Sequence, residues 1–168
     1  RSPLIIFGSH NLQNLAGAQW ISQLMGLDSS DFYEAIPSFR GASKRLELLV
    51  KGANSSLFKD FAHAPSKVQA TCSAVKTQFS KKQLIVCLEL HTYSSLDPEF
   101  INHYAASLDA ADEAIVFYDP QALRIKNRVA LPPETIERAF KHDSLRVFTS
   151  AYMLQKAVLA QTTNTHVF

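Results

Sequence analysis

The sequence predicts an α/β fold of the doubly wound type, with a mostly parallel sheet, an N-terminal hairpin and leading helices. Two observations carry this prediction. Beyond the first third of the chain, short apolar runs alternate with segments of helical periodicity. The run Leu84–Leu90 is almost continuously apolar, as strands are when helices cover both faces of a parallel sheet.

The N-terminal part is predicted to form two helices and a β-hairpin. Apolar residues recur at three- and four-residue steps over Asn11–Met25, and a glycine ends that helix. A short helix over Ser30–Ile36 stops before a proline. Strands over Leu46–Lys51 and Ser56–Asp60, joined by a turn over 52–55, complete this part as a hairpin.

The rest of the chain supplies the alternation of strands and helices. Pro65 suits the first position of a helix whose apolar face carries Val68, Cys72, Val75 and Phe79. The later elements are predicted, in order, as a strand over Leu84–Leu90, a helix from Asp97 to Ala110, a strand over Ala114–Tyr118, an irregular segment over Asp119–Leu131, a helix over Pro133–Lys141, a strand over Leu145–Phe148, a helix capped by Thr149 and ending near Ala160, and a strand starting over Thr165–Phe168.

Composition argues against several classes of protein. The 168 residues carry a formal charge of +2 with no basic run longer than Lys81-Lys82, so we expect no nucleic-acid partner. The apolar runs are too short for a signal peptide or a membrane span. Cys72 and Cys87 are expected to be buried free thiols, which fits the cytoplasm, and the spacing of His and Cys predicts no zinc site.

The first cluster of candidate functional residues opens the first helix, in a Gly-x-His-Asn-x-x-Asn pattern that starts at Gly8. Asn11 and Asn14 share one face of the first turn, where free N–H groups and the positive end of the helix dipole suit an anionic ligand such as a nucleotide. The alternative is that Ser9 or Asn11 caps an ordinary helix and Asn14 is solvated.

Three further clusters occur: one precedes the hairpin, one follows its second strand and one follows the next strand. They are Phe39-Arg40-Gly41-Ala42-Ser43-Lys44-Arg45, Lys59-Asp60-Phe61-Ala62-His63-Ala64-Pro65 and Glu89-Leu90-His91-Thr92-Tyr93-Ser94-Ser95. Ligands of open α/β sheets gather at the carboxyl ends of strands, so residues 60–63 and 91–95 are expected at one edge. Alone, Arg45 would be a surface ion-pair partner, and Asp60 either a ligand contact or the N-cap of the helix at Pro65.

Together, these motifs resemble the end of the central domain and the start of the C-terminal domain of the Mur ligases, the ATP-dependent amide ligases of peptidoglycan assembly. The resemblance covers essentially the whole chain. It implies that residues 1–39 are the last helices of the central ATP-binding domain and residues 40–168 a Rossmann-like C-terminal domain. The absence of an initiator Met and the short last strand lead us to expect a fragment.

The resemblance also implies a reaction. ATP and Mg²⁺ would activate the carboxylate of UDP-N-acetylmuramate as an acyl phosphate, which the amine of an amino acid or peptide then attacks. No Gly-x-x-x-x-Gly-Lys-(Ser/Thr) occurs in the chain, so the phosphate loop, the Mg²⁺ ligands and the UDP-sugar site are expected in N-terminal and central domains outside it. The isolated chain is therefore expected to be inactive.

Residue roles follow from the resemblance. Asn14 would recognise the adenine edge while Asn11 orders that corner, Asp60 would hold the ribose hydroxyls, and Arg45 would act as the catalytic cation facing the phosphates. The incoming amine substrate would meet His63, His91, Ser94 and Ser95. His63 matches the first His of the family's His-His-Pro, but Ala64 replaces the second.

The loop over residues 91–95 contains no Arg or Lys, whereas family members that add free L-alanine have a comparable loop richer in Arg. Without a cation for a free amino acid's carboxylate, the loop favours the tripeptide L-alanyl-γ-D-glutamyl-meso-diaminopimelate as the amine substrate. Alternatively, the loop only caps the helix at Asp97.

Two different functions are also compatible with the sequence. Within the same superfamily, the chain could come from a folylpolyglutamate or cyanophycin synthetase, although Arg45 and His63 with Pro65 fit the muramate ligases better. Outside it, the chain could be a non-catalytic flavodoxin-like or receiver-like binding module. A receiver needs several acids at strand ends, and only Asp60 offers itself.

Overall fold

The computed structural model describes residues 4–125, 129–160 and 166–167. Six strands form one sheet in the order β1-β2-β6-β3-β4-β5. Their bounds are β1 Glu47–Lys51, β2 Ser56–Lys59, β3 Gln83–Glu89, β4 Glu113–Phe117, β5 Leu145–Phe148 and β6 His166–Val167. The β1–β2 hairpin is antiparallel and every other neighbouring pair is parallel, which confirms the predicted mostly parallel sheet with an N-terminal hairpin.

Helices precede the hairpin and then alternate with the strands. Their bounds are α1 Ser9–Leu24, α2 Ser29–Ala35, α3 Pro65–Gln78, α4 Pro120–Ile125, α5 Pro133–Phe140 and α6 Ala151–Leu159, with 3₁₀ helices at Ile36–Ser38 and Phe100–Tyr104. Pro65 begins α3, as predicted. Within the described part of the chain, no helix combines the length and apolarity needed to span a bilayer.

The core lies on both faces of β4. Ala114, Ile115 and Val116 are fully buried there, as expected of a strand covered by helices on both sides. Val68 and Cys72 of α3 join the main core, together with Ile136 and Phe140 of α5. This packing fixes the carboxyl ends of the parallel strands, where the candidate residues lie.

The predicted helix from Asp97 to Ala110 is wrong, since only a 3₁₀ helix over Phe100–Tyr104 forms. Its N-cap residue is Glu99, and Oδ1 of Asp97 accepts the N–H groups of Glu99 and Phe100 just before and at its start. The helix does not continue because Ala106 adopts a left-handed φ of 62° and donates its N–H to the carbonyl of Phe140. Tertiary packing against α5 thus overrides the helical pattern.

Three boundaries near the C-terminus also differ from the prediction. The segment expected to be irregular over Asp119–Leu131 contains α4, because Oδ1 of Asp119 accepts the N–H of Gln121 and starts a turn. Ser150, not Thr149, is the N-cap residue of α6, and it makes no side-chain cap. Of the predicted strand Thr165–Phe168, the two central residues form β6, while Thr165 and Phe168 lie outside the described residues.

The two cysteines differ in burial. Cys72 is buried in the core, as predicted, and burial raises the pKa of its thiol to about 12. The prediction for Cys87 is wrong, because its side chain is exposed. Cys87 and Glu89, both exposed, alternate with buried Leu88 along β3, so their side chains lie on the opposite face of the strand. Neither cysteine forms a disulfide.

Candidate functional site

The start of α1 packs closely against α3. Gly8 precedes the helix with a left-handed φ of 92°, and a Cβ atom there would lie 2.8 Å from the Cβ of Ala74. Glycine therefore satisfies both the backbone conformation and the close approach. Nδ2 of Asn11 donates to the carbonyl of Phe7 at 2.8 Å, so the side chain fixes the entry to the helix. Neither Ser9 nor Asn11 is the N-cap residue, which is Gly8.

A cleft of about 720 Å³ brings together the four residues predicted to bind a nucleotide. Asn11 and Asn14 line it from α1, Arg45 from the turn before β1, and Asp60 from the end of β2. The volume lies within the range of about 300–1,000 Å³ typical of small-molecule sites. Residues that are far apart in the sequence thus converge on one concave surface.

Asp60 anchors the turn that carries Arg45. Its Oδ2 accepts the N–H of Leu46 at 2.7 Å, and its Oδ1 accepts the N–H of Ala62 at 2.6 Å. Leu46 has a left-handed φ of 49°, a conformation that costs a branched residue about 1 kcal/mol or more. The N-cap residue of α3 is Ala64, so the alternative role of Asp60 as that cap is wrong. Each carboxylate oxygen keeps a second lone pair for a ligand.

Two cations face the cleft. Arg45 and Lys67 both line it, and the salt bridges of the described residues join other groups, Lys76 to Asp112 and Arg146 to Glu113. Arg45 is therefore not engaged in the surface ion pair that its position alone suggested. Sequence reasoning missed Lys67, although it lies just two residues beyond the proline of the third motif. The cleft wall combines amides, a carboxylate and two positive charges.

His10 also lines the cleft. Its Nδ1 atom is buried and has no hydrogen-bond partner among the described residues. The ring lies beside Gly8, where a Cβ atom would approach its Cε1 to 3.1 Å. The glycine of the first motif thus makes room for the histidine two residues later.

Segment 60–63 lies between this cleft and a second group of side chains. Asp60 and Ala62 line the cleft, whereas Phe61 and His63 face His91 at the end of β3. The ring centroids are 5.2 Å apart for Phe61 and His63, and 6.4 Å apart for the two histidines. The ends of β2 and β3 therefore lie at one edge, as predicted. We call Phe61, His63 and His91 the histidine edge.

The loop over residues 91–95 is held by its own hydrogen bonds. The N–H of Thr92 donates to Oγ of Ser95 at 3.1 Å, and that hydroxyl donates to the carbonyl of Thr92 at 2.9 Å. Ser95 is only 1% exposed, whereas Ser94 is exposed. Of the two serines predicted to contact the amine substrate, Ser94 is the accessible one. The contact by Ser95 stays a prediction.

Potential metal ligands do not cluster in the described part of the chain. Within residues 4–125, 129–160 and 166–167, no group of three or more His, Cys, Asp or Glu side chains lies close enough together to hold a metal ion.

Comparison with known proteins gives relatives in sequence. No protein-family model matches the chain. The UDP-N-acetylmuramate–L-alanine ligase of Caldicellulosiruptor bescii is 34% identical over 133 residues, which cover 79% of this chain and 29% of that relative. The chain thus spans less than a third of the length of this curated relative.

Solved structures agree in fold. The UDP-N-acetylmuramate–alanine ligase of Thermotoga maritima superposes with a TM-score of 0.75 at 20% identity, over 98% of this chain and 34% of that one. The murein peptide ligase of Psychrobacter arcticus gives a TM-score of 0.70 at 19% identity, over 99% of this chain and 34% of that one. At these identities the likeness shows the fold alone.

Proposed function

Because the chain carries a Mur ligase C-terminal-like domain, we propose that it binds the adenosine part of ATP and admits the amine substrate in an ATP-dependent amide ligase of peptidoglycan synthesis or recycling. The observation that carries this proposal is the cleft in which Asn11, Asn14, Arg45 and Asp60 converge. Residues 1–39 would end a central ATP-binding domain, and residues 40–168 would form the C-terminal domain of a longer, cytoplasmic polypeptide.

The donor set of the cleft suits ATP. The amide of Asn14 can pair with the edge of adenine, and the free lone pairs of Asp60 can accept the ribose hydroxyls. Arg45, held in its turn by Asp60, would face the phosphates and offset negative charge during phosphoryl transfer. Bound ATP would supply the phosphoryl group that activates the muramate carboxylate, and upstream domains would supply the phosphate loop and the Mg²⁺ ligands.

The histidine edge would receive the amine. In the overall reaction, the γ-phosphoryl group of ATP would pass to an oxygen of the muramate carboxylate and leave ADP. The amine nitrogen would then bond to the carboxyl carbon and lose a proton, while the C–O bond to the phosphorylated oxygen breaks and that oxygen leaves as part of inorganic phosphate. The rings of His63 and His91 lie near each other and do not line the cleft, and the exposed Ser94 follows His91 in the same loop. Their role would be to hold the amine substrate while the phosphates lie on the Arg45 side.

We propose the tripeptide L-alanyl-γ-D-glutamyl-meso-diaminopimelate as the preferred amine. A free amino acid carries its carboxylate next to the attacking amine, and a ligase that selects it needs a cation there. Residues 91–95 include no Arg or Lys. In the tripeptide an amide occupies this position, so neutral and aromatic groups suffice.

The decisive experiment is a competition between L-alanine and the tripeptide, with ATP, Mg²⁺ and UDP-N-acetylmuramate, catalysed by the full-length polypeptide. The ratio of kcat/KM values is read from the two products by mass spectrometry. We expect the tripeptide to be preferred. Equal or better use of L-alanine would refute the choice of amine but keep the ligase, and no product from either amine would refute the ligase.

Two variants test which residues set the preference. Ser94→Arg adds a cation at the accessible position of the loop and should erode the preference for the tripeptide. Ser80→Arg is the matched control, because Ser80 precedes β3 and lies at the other end of that strand. If Ser94→Arg left the preference unchanged, the absence of a cation in the loop would not explain the preference for the tripeptide.

A further inference from the structure

Tyr104 links the core to the histidine edge. It ends the 3₁₀ helix over Phe100–Tyr104, is 1% exposed, and donates its hydroxyl to the carbonyl of His63 at 2.5 Å. Its ring stacks on Phe140 with centroids 5.0 Å apart and meets the edge of Phe100. A side chain enclosed in the core thus makes a polar bond to a residue 41 positions earlier in the chain.

The bond completes the fixation of segment 60–63. At its start, Asp60 is tied to the N–H groups of Leu46 and Ala62. At its end, the carbonyl of His63 accepts the hydroxyl of Tyr104. Between them, Nδ1 of His63 lies 3.0 Å from the carbonyl of Phe61, so the imidazole is oriented by its own segment. The position of the His63 backbone therefore determines the position of its imidazole ring.

The Tyr104 hydroxyl remains a hydrogen-bond donor at physiological pH. Burial raises the pKa of the Tyr104 phenol to about 12, so the hydroxyl remains protonated. The bond is partly buried, and loss of the hydroxyl leaves the carbonyl of His63 without this donor. The segment would then be expected to move toward water or toward another donor.

We propose that Tyr104 is a positioning residue for the amine side of the site: its hydroxyl, through the carbonyl of His63, sets the placement of His63 against His91. Tyr104 touches no substrate. The inference rests on the proposed function only in that it assigns the histidine edge to the amine substrate. Nucleotide binding at the cleft has its own anchor in Asp60 and should not depend on this bond.

Tyr104→Phe removes the hydroxyl and keeps the ring, and the chain offers a matched control in Tyr118→Phe. Tyr118 is 2% exposed, and its hydroxyl donates to the carbonyl of Leu131 at 2.7 Å. The two substitutions delete the same kind of bond from equally buried tyrosines. Tyr118 makes its bond to a residue outside both the cleft and the histidine edge.

The first measurement is made on the 168-residue chain, at a temperature where both variants remain folded. In heteronuclear NMR spectra, Tyr104→Phe should shift the amide and ring signals of Phe61, His63 and His91, while Tyr118→Phe should leave them in place. Unmoved signals in Tyr104→Phe would overturn the proposal, whatever reaction the protein catalyses.

The second measurement is made on the full-length ligase. Tyr104→Phe should raise KM for the amine roughly tenfold, as expected for a displaced binding group, and change KM for ATP by less than about twofold. Tyr118→Phe should change neither. An amine KM that rises no more than in the control would overturn the proposal. Absence of ligation by the wild-type protein would refute the proposed function instead, and the NMR comparison would still decide the role of Tyr104.

Discussion

Replacing Asp60 by asparagine is expected to destabilise the domain, whereas the same change at Asp97 is not. Both carboxylates accept two backbone N–H groups, but the bonds are arranged differently. At Asp97 both N–H groups converge on Oδ1, an oxygen that asparagine retains. At Asp60 they are divided, with Leu46 on Oδ2 and Ala62 on Oδ1. In Asp60→Asn, one N–H group would therefore meet an NH₂ donor.

The magnitude follows from the loss of one charge-assisted bond. Hydrogen bonds to charged groups contribute roughly 1.5–3 kcal/mol, so Asp60→Asn should lower the free energy of unfolding by about 2–3 kcal/mol. Asp97→Asn loses only the charge of its acceptor and should cost less than about 1 kcal/mol. A difference of about 2 kcal/mol corresponds to about 4–8 °C in Tm for a domain of this size.

The assay is thermal and urea unfolding of the 168-residue chain and its two variants, followed by circular dichroism. The comparison tests geometry rather than charge, because both substitutions remove one negative charge. If both variants lost the same free energy of unfolding, the distribution of the two bonds over both oxygens of Asp60 would not affect stability. The reasoning about the Arg45 turn would then fail with it.

Three further predictions concern pH, the nucleotide and the cation. Burial alone would raise the pKa of Asp112, but the hydrogen bonds from Lys76 and the Leu84 N–H, with the Lys76 charge, outweigh it and lower the pKa below the usual 3.8. Asp112 therefore stabilises the fold above its unfolded-state pKa, and wild type should lose its advantage over Asp112→Asn in urea titrations as pH falls below about 5 and through the lowered pKa. The isolated chain should hydrolyse no ATP and show little heat with Mg-ATP in calorimetry, because a few adenosine contacts do not offset the entropy of association; micromolar binding would contradict this. In the full-length ligase, Arg45→Ala should lower kcat about a hundredfold in steady-state assays, while the exposed Arg138→Ala on α5 should leave it unchanged.

The sheet could be predicted because its signals are local. A run such as Ala114–Tyr118 is apolar at every position, and the structure places β4 over Glu113–Phe117 with both faces covered. The helix from Asp97 failed because its end depends on the carbonyl of Phe140, a partner that no local pattern reveals. Exposure of Cys87 was missed for the same reason, since burial depends on which elements cover a strand.

The site could be predicted as a set of residues but not as a set of bonds. The resemblance of the motifs to the Mur ligases implied one nucleotide site for Asn14, Arg45 and Asp60, and one cleft is lined by all three. The sequence does not reveal that the hydroxyl of Ser95 is used within its own loop. Nor does it separate Tyr104 from any other aromatic core residue, because only the hydrogen bond to His63 does so.

Side chains of segment 60–63 lie alternately at the cleft and at the histidine edge, which explains how one short motif can contribute to two sides of a site. Along this segment, Asp60 and Ala62 line the cleft while Phe61 and His63 belong to the histidine edge. A shift of one residue along the chain would exchange the two sets. The segment therefore needs a fixed position at both ends, and it has one, through Asp60 to Leu46 and through the His63 carbonyl to Tyr104. Because those two anchors are independent, the nucleotide side and the amine side can be perturbed separately by mutation.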